Sequence, residues 1–354
     1  MLLLLAAVPL FNGANLAGWV QEGPRPSFFV AEKEIRTSGR GHAGNWLRSA
    51  GEYENFRLKF EYKLAQWAEA AIILRAPRTD RPQGGGITLM LAHDFHKETT
   101  PWVTGALAGW KAPLAPKPPG WGAWHKVEIE LRGQHLKAAI DGLAVQDASL
   151  DEKPFLRRGY LGFPDMGHAY ALRHIEIEDL GRPTRILELT NGRDLSDWHK
   201  RGDSGEWSYA EGVVAGANGH SILYAPGIFT DFEFSAAVRS HARTNSGVFL
   251  RGQPAGANRG FEVQIYSPVD AVYPTGSIYG MKRSRLTADL EGRWFLLQAR
   301  VEGRRARVWV NGEPAAEVDS LPEQYLAPGR AGLQIHMEDT RVEFRDLRVR
   351  PLIP

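Results

Sequence analysis

The sequence predicts an all-β chain made of two tandem antiparallel β-sandwich domains of jelly-roll type. Three observations lead there. The chain repeats itself once, its apolar residues alternate with a period of two, and its 354 residues suit two domains of ordinary size.

The repeat is read first, because a missed duplication misplaces the whole fold. Phe11-Asn12-Gly13-Ala14-Asn15-Leu16-Ala17-Gly18-Trp19 returns as Thr190-Asn191-Gly192-Arg193-Asp194-Leu195-Ser196-Asp197-Trp198. Leu74-Arg75 returns as Leu250-Arg251, Thr104-Gly105-Ala106 as Thr275-Gly276-Ser277, Trp124 as Trp294, and Asp141-Gly142 as Asn311-Gly312. The spacing drifts slowly, as duplication followed by small loop changes would produce. The polar joint Gly181-Arg182-Pro183-Thr184 separates a first repeat at 8–181 from a second at 185–354.

Within each repeat, short alternating runs such as Phe56-Leu58-Phe60-Tyr62 and Phe232-Phe234-Ala236-Val238 read as half-buried strands. Asn311-Gly312 between apolar alternations reads as a two-residue hairpin turn. Short helical turns are expected at most near Leu286–Leu290 and Pro322–Tyr325. Ala112–Gly120, with its prolines, reads as a stiff surface loop.

Composition narrows the function. Net charge is +2, and basic and acidic residues are interspersed, so no nucleic-acid partner is expected. The absence of cysteine removes disulfides, thiolate metal sites and cysteine nucleophiles. No stretch is long and apolar enough for a membrane span. The opening Met1-Leu2-Leu3-Leu4-Leu5-Ala6-Ala7 reads as the end of a clipped export signal, which predicts a periplasmic or secreted bacterial protein, or else as a hydrophobic first strand.

Strand alternation then groups polar side chains in the second repeat. In Gly247–Gly252, Val248 and Leu250 face the core while Phe249 and Arg251 face away. In Phe261–Tyr266, the outward set is Glu262, Gln264 and Tyr266; in Gly332–His336 it is Gln334 and His336. Tyr279 and Lys282 of the following loop could wall the patch. Aromatic faces beside amides and charges suit sugars. Ordinary polar decoration with an Arg251–Glu262 cross-strand ion pair is the plain alternative.

These segments resemble the bacterial 3-keto-disaccharide hydrolase domain family. The residues that carry the resemblance are the Thr190–Trp198 segment, Gly247–Gly252, Gly260–Ile265, Thr275–Gly280, Gly332–His336 and Val342–Val349. The resemblance implies a concanavalin A-like lectin/glucanase jelly roll and a 3-keto-glycoside substrate. The first repeat keeps the frame and loses the patch. Aligned on glycines, Thr88 stands for Glu262, Met90 for Gln264, Ala108 for Tyr279, Gly162 for Gln334 and Pro164 for His336, with only Arg75 retained. The first repeat is therefore expected to be structural or to grip substrate. His93, Asp94 and His96 form a loop cluster that reads as polar surface more readily than as a metal site.

Ordinary glycosidases need two carboxyl groups flanking the bond. The patch offers one, Glu262, with Asp270 and Asp289 left in loops. A 3-keto sugar relaxes that requirement, because its carbonyl acidifies the C2 proton and permits elimination of the C1 substituent, with water adding back. On this reading Glu262 and His336 are proton carriers and Arg251 stabilises the enolate. Phe249, Gln264, Tyr266, Tyr279, Lys282 and Gln334 hold substrate. No cofactor is required, although a divalent cation on Glu262 or His336 is a second way to stabilise the enolate. A non-catalytic carbohydrate-binding protein and a structural exported sandwich are the alternatives.

Overall fold

The computed structural model describes residues 6–41, 44–92, 99–115, 120–268, 270–286 and 289–352. The chain divides into two compact units between Pro183 and Thr184. Each unit pairs one eight-stranded sheet with one five-stranded sheet, and the ladders are antiparallel. The expected double sandwich is therefore what forms. Among the described residues the 3₁₀ turn Glu323–Tyr325 answers one of the two anticipated helical turns. The other, near Leu286–Leu290, includes residues outside those described, as do His93, Asp94, His96 and the first five residues of the chain.

The residues shared by the two repeats explain the shared frame. Asn12 and Asn191 open each repeat in the same way. Asn12 Oδ1 accepts the backbone N–H groups of Ala14 and Asn15, and Asn191 Oδ1 accepts those of Arg193 and Asp194. Such Asx turns fix the chain's entry into the following strand. Trp124 lies under Lys63 and Arg173, and Trp294 under Arg239 and Arg345, so each unit keeps one cation–π stack. Asp141-Gly142 and Asn311-Gly312 both have positive φ at the two turn positions, the backbone that a two-residue hairpin of this twist demands.

In the second unit the five-stranded sheet runs His199–Arg201, Ser221–Tyr224, Arg330–Ile335, Asn245–Gly252, Phe261–Tyr266. Its inner face supplies Val248, Leu250, Phe261, Val263, Ile265, Leu333 and Ile335 to a core shared with Phe232, Phe234, Leu297 and Phe344 of the larger sheet. The alternation read from the sequence holds for all of these. The outer face is thereby free to carry other side chains.

The alternation fails at one residue. Pairing of Asn245–Gly252 with Arg330–Ile335 shifts register between Phe249 and Gly252, and Arg251 sits in the bulge with φ 56°. An extra residue in a ladder turns the next side chain to the other side. Arg251 is consequently 1% exposed and is not on the outer patch. Its guanidinium donates to the carbonyls of Thr230, Gly303 and Tyr325 and pairs with Asp231 at 2.9 Å. Arg75 in the first unit repeats the arrangement, with φ 51° and bonds to the carbonyls of Glu54 and Gly133. Burial lowers the pKa of both guanidinium groups, Arg75 to about 10. The arginine shared by the two repeats is thus a structural clamp, and it forms no pair with Glu262.

Candidate active site

The outer face of the five-stranded sheet in the second unit holds an open cavity of about 530 Å³, within the usual range for small-ligand pockets. Strand residues make its floor: Asn245, Phe249, Glu262, Gln264, Gln334, with His336 just past a strand end. Walls come from the loop residues Ala257–Gly260, from Tyr279, and from Gln324 and Tyr325 of the 3₁₀ turn.

Cross-strand register explains the floor. Gly247 lies between Gln264 on one neighbour and Gln334 on the other, and Phe249 lies between Glu262 and Gly332. Gly247 carries no side chain into this space, and Glu262 uses the vacancy. A Cβ at Gly247 would stand 2.3 Å from Glu262 Oε1 and 2.8 Å from its Cγ. Phe249 is buried against Ile222 and Tyr224, and the Tyr224 hydroxyl donates to the Arg259 carbonyl at 3.0 Å, tying the wall loop to the sheet. Gly247→Ala is therefore expected to evict Glu262 from its seat. Any activity that depends on Glu262 should fall by about a hundredfold while the melting temperature moves little, a split that parallel kinetics and thermal melts would read.

The ionisable groups are unusual. Among the described residues no side chain bonds to or pairs with the Glu262 carboxyl, and burial alone pushes its pKa up to about 7. The His336 ring stands edge-on to His220 with centroids 5.0 Å apart. Desolvation first, then His220 and Arg259, lower the pKa of His336, which favours its neutral imidazole. Gln264 donates through Nε2 to Asn245 Oδ1 at 3.1 Å. The Oε1 atoms of Gln264 and Gln334 are buried with no hydrogen-bond partner. Tyr279 is 53% exposed, its ring 5.1 Å from that of Tyr273, and its backbone N–H donates to the Glu262 carbonyl.

Of the residues expected from sequence, Phe249, Glu262, Gln264, Tyr279, Gln334 and His336 meet in this cavity. Arg251 does not, for the reason given above. Tyr266 and Lys282 do not line the cavity either; Tyr266 is at the end of its strand and Lys282 is exposed on the far side of the loop turn. Asn245, His220, Arg259, Gln324 and Tyr325 were not anticipated. Arg259 lies in a loop without periodicity, and His220 precedes a four-residue strand, so alternation gave no signal for either. Asp270 and Asp289 are exposed and lie outside the cavity. Among the described lining residues Glu262 is the one carboxyl group. No group of three His, Cys, Asp or Glu among the described residues is placed to hold a metal ion.

The same surface in the first unit is filled. Ala71 pairs with Met90, and Ile73 with Thr88 and Gly162, which makes Ala71 the counterpart of Gly247, Met90 of Gln264 and Thr88 of Glu262. Register also corrects the glycine-based alignment by two residues. Gly162 answers to Gly332, so Pro164 stands for Gln334 and Met166 for His336. Ala71, Met90 and Ala106 form a buried apolar cluster, with Ala108 and Met166 packed on it. Where the glutamate is lost, the glycine that makes room for it is lost as well.

Fold and site together define a tandem β-sandwich protein whose second unit carries an open pocket with an amide and carboxyl floor. The chain matches the 3-keto-alpha-glucoside-1,2-lyase-like domain family twice, over residues 6–178 and 186–350, and belongs to that family, a carbohydrate-active one. It resembles crystal structures of a candidate glycosyl hydrolase from Parabacteroides distasonis ATCC 8503 (17% identity, TM-score 0.44, covering 49% of this chain and 94% of that one). It also resembles the carbohydrate-binding module CBM66 from Bacillus subtilis (15% identity, TM-score 0.33, covering 43% and 93%). A third similar structure is the VIP36 exoplasmic/lumenal domain in its Ca²⁺/Man₃GlcNAc-bound form (13% identity, TM-score 0.33, covering 45% and 87%). No curated protein matches the sequence. No helix among the described residues is long and apolar enough to cross a membrane.

Proposed function

We propose that the second unit cleaves 3-keto-glycosides by removing the C2 proton and expelling the C1 substituent, with water adding to C1 to complete a net hydrolysis. The observation that supports this most is Glu262, a carboxyl group held in a cavity with its pKa about 7. A base works best when its pKa is close to the working pH, and an unpaired, partly desolvated carboxylate is a stronger base than one in water.

The electron and proton count is simple. Glu262 takes the proton from C2, and the C2–H electron pair moves toward the C3 carbonyl to give an enolate. Return of that pair forms the C1–C2 double bond as the C1–O bond breaks, and the leaving oxygen takes up the proton that Glu262 removed from C2, which restores the carboxylate. Water then adds its oxygen to C1 and a proton to C2. Arg259, which lines the cavity and has no ion-pair partner among the described residues, takes the enolate-stabilising role first expected of Arg251. Neutral His336 at the cavity edge serves the leaving oxygen as its hydrogen-bonding partner. One carboxyl suffices for this route, whereas direct glycoside hydrolysis calls for two.

The test is aglycone release from a 3-keto-glucoside by the purified protein. Wild type should turn over, and Glu262→Gln should lose a factor of about 10²–10⁴. Because the base must be deprotonated, kcat/KM should rise with pH and level off above about 7, falling roughly tenfold per pH unit below that. Equal release by wild type and Glu262→Gln would overturn the proposal. Glycan binding unaffected by Glu262→Gln, with no turnover of any keto-sugar, would favour a binding module.

A further inference from the structure

The cavity floor contains a second chemical instruction, separate from the acid–base groups. Gln264 is 4% exposed, and its amide is oriented by donating to Asn245 Oδ1. That bond leaves Gln264 Oε1 buried with nothing to accept from, and Gln334 Oε1 is in the same condition. The two glutamines flank Gly247 from opposite neighbouring strands, and the Glu262 carboxyl lies over that glycine, so both amides border the same space as the proposed base. Buried amide oxygens almost always have a partner, and both of these belong to residues lining the cavity.

We infer that Gln264 and Gln334 are specificity-determining residues that accept hydrogen bonds from two free hydroxyl groups of a neutral sugar ring. An amide oxygen accepts and cannot donate. A hydroxyl satisfies it; a methoxy, phosphate or carboxylate oxygen leaves it unpaired and adds like-sign dipoles or charge. A site built to bond a hydroxyl rejects the analogue that lacks one far more strongly than an apolar pocket rejects a change of size. The first unit supports the assignment: with Met90 and Pro164 at these two positions, neither amide oxygen is present, and the surface is closed by the apolar cluster. The inference rests on the reading of this cavity as a glycoside site and adds which ring substituents it accepts.

Equilibrium binding of plain, unoxidised methyl glucosides separates this inference from the cleavage chemistry, since these ligands cannot undergo the elimination. The parent glucoside, its monodeoxy series and its mono-O-methyl series are titrated calorimetrically into wild type, Gln264→Met and Gln334→Met. Two ring positions should each weaken binding tenfold or more when the hydroxyl is removed or methylated. Each methionine variant should weaken the parent by a similar factor and become indifferent to one of those two positions. Gln264→Met places at 264 the residue that the first unit already accommodates at its equivalent, and a circular dichroism melt verifies folding. Wild-type binding indifferent to every single deoxygenation, or no binding of any neutral glucoside, overturns the inference. Binding that follows the expected pattern without cleavage of any 3-keto-glucoside leaves it standing and removes the proposed reaction instead.

Discussion

Arg251→Ala is expected to destabilise the second unit by about 3 kcal/mol, seen as a fall of about 5–10 °C in its melting temperature. The guanidinium is 1% exposed and satisfies three carbonyls and Asp231. Removing it strands those acceptors, and each buried unsatisfied group costs about 1–3 kcal/mol, partly relieved by water. Lysine should not rescue, because one ammonium cannot copy a fork that donates from Nε and both terminal nitrogens. The Tyr325 carbonyl is one of the four acceptors, and Tyr325 forms a cavity wall, so substrate affinity should drop along with stability. Arg75→Ala should destabilise the first unit comparably and leave the second unit's cavity untouched, which separates the clamp from the chemistry.

Glu262→Gln should remove turnover and yet make the protein more stable in alkaline buffer. The folded-state pKa of Glu262 is raised from 4.5 to about 7, so the folded protein holds this proton more tightly than the unfolded chain does. Its favourable contribution is complete below about pH 4.5 and disappears as pH climbs through about 7; beyond that, folding must keep an unpaired carboxylate out of water. A glutamine carries no such charge. At pH 8.5 the variant should exceed wild type by about 3 kcal/mol, and at pH 5 the two should be within about 1 kcal/mol. Denaturant unfolding at the two pH values reads the difference. A stability gap independent of pH would show that the carboxyl is solvated, and the case for an activated base would weaken with it.

The floor of the cavity was legible because a strand's period of two is strict. With Val248, Val263 and Leu333 committed to the core, Glu262, Gln264 and Gln334 had to face outward, and antiparallel pairing brought them together. The same rule misplaced Arg251, since a bulge resets the period and nothing in Leu250-Arg251-Gly252 announces one. The duplication itself held the corrective. Leu-Arg occurs in both repeats, as do the Asn-Gly turn and the stacked tryptophan, and all of these build the frame. Glu262, Gln264, Gln334 and His336 occur in the second copy alone, and these meet at the cavity. Residues common to both repeats therefore mark architecture, and residues peculiar to one mark the site. Arg259 and His220 stayed hidden because loops carry no periodicity; their placement depends on Tyr224 anchoring the loop and on the bend that leads from one sheet into the other before Ser221, both tertiary outcomes.

The central claim is that a proton leaves C2 before the glycosidic bond is broken, and deuterium reports on it directly. A 3-keto-glucoside is cleaved by wild type in D₂O, and the released 3-keto-glucose is compared by proton NMR with the free sugar held in the same buffer. Deuterium at C2 well beyond that control is the predicted result. Aglycone release with the C2 hydrogen fully retained would contradict the mechanism and point to direct displacement at C1.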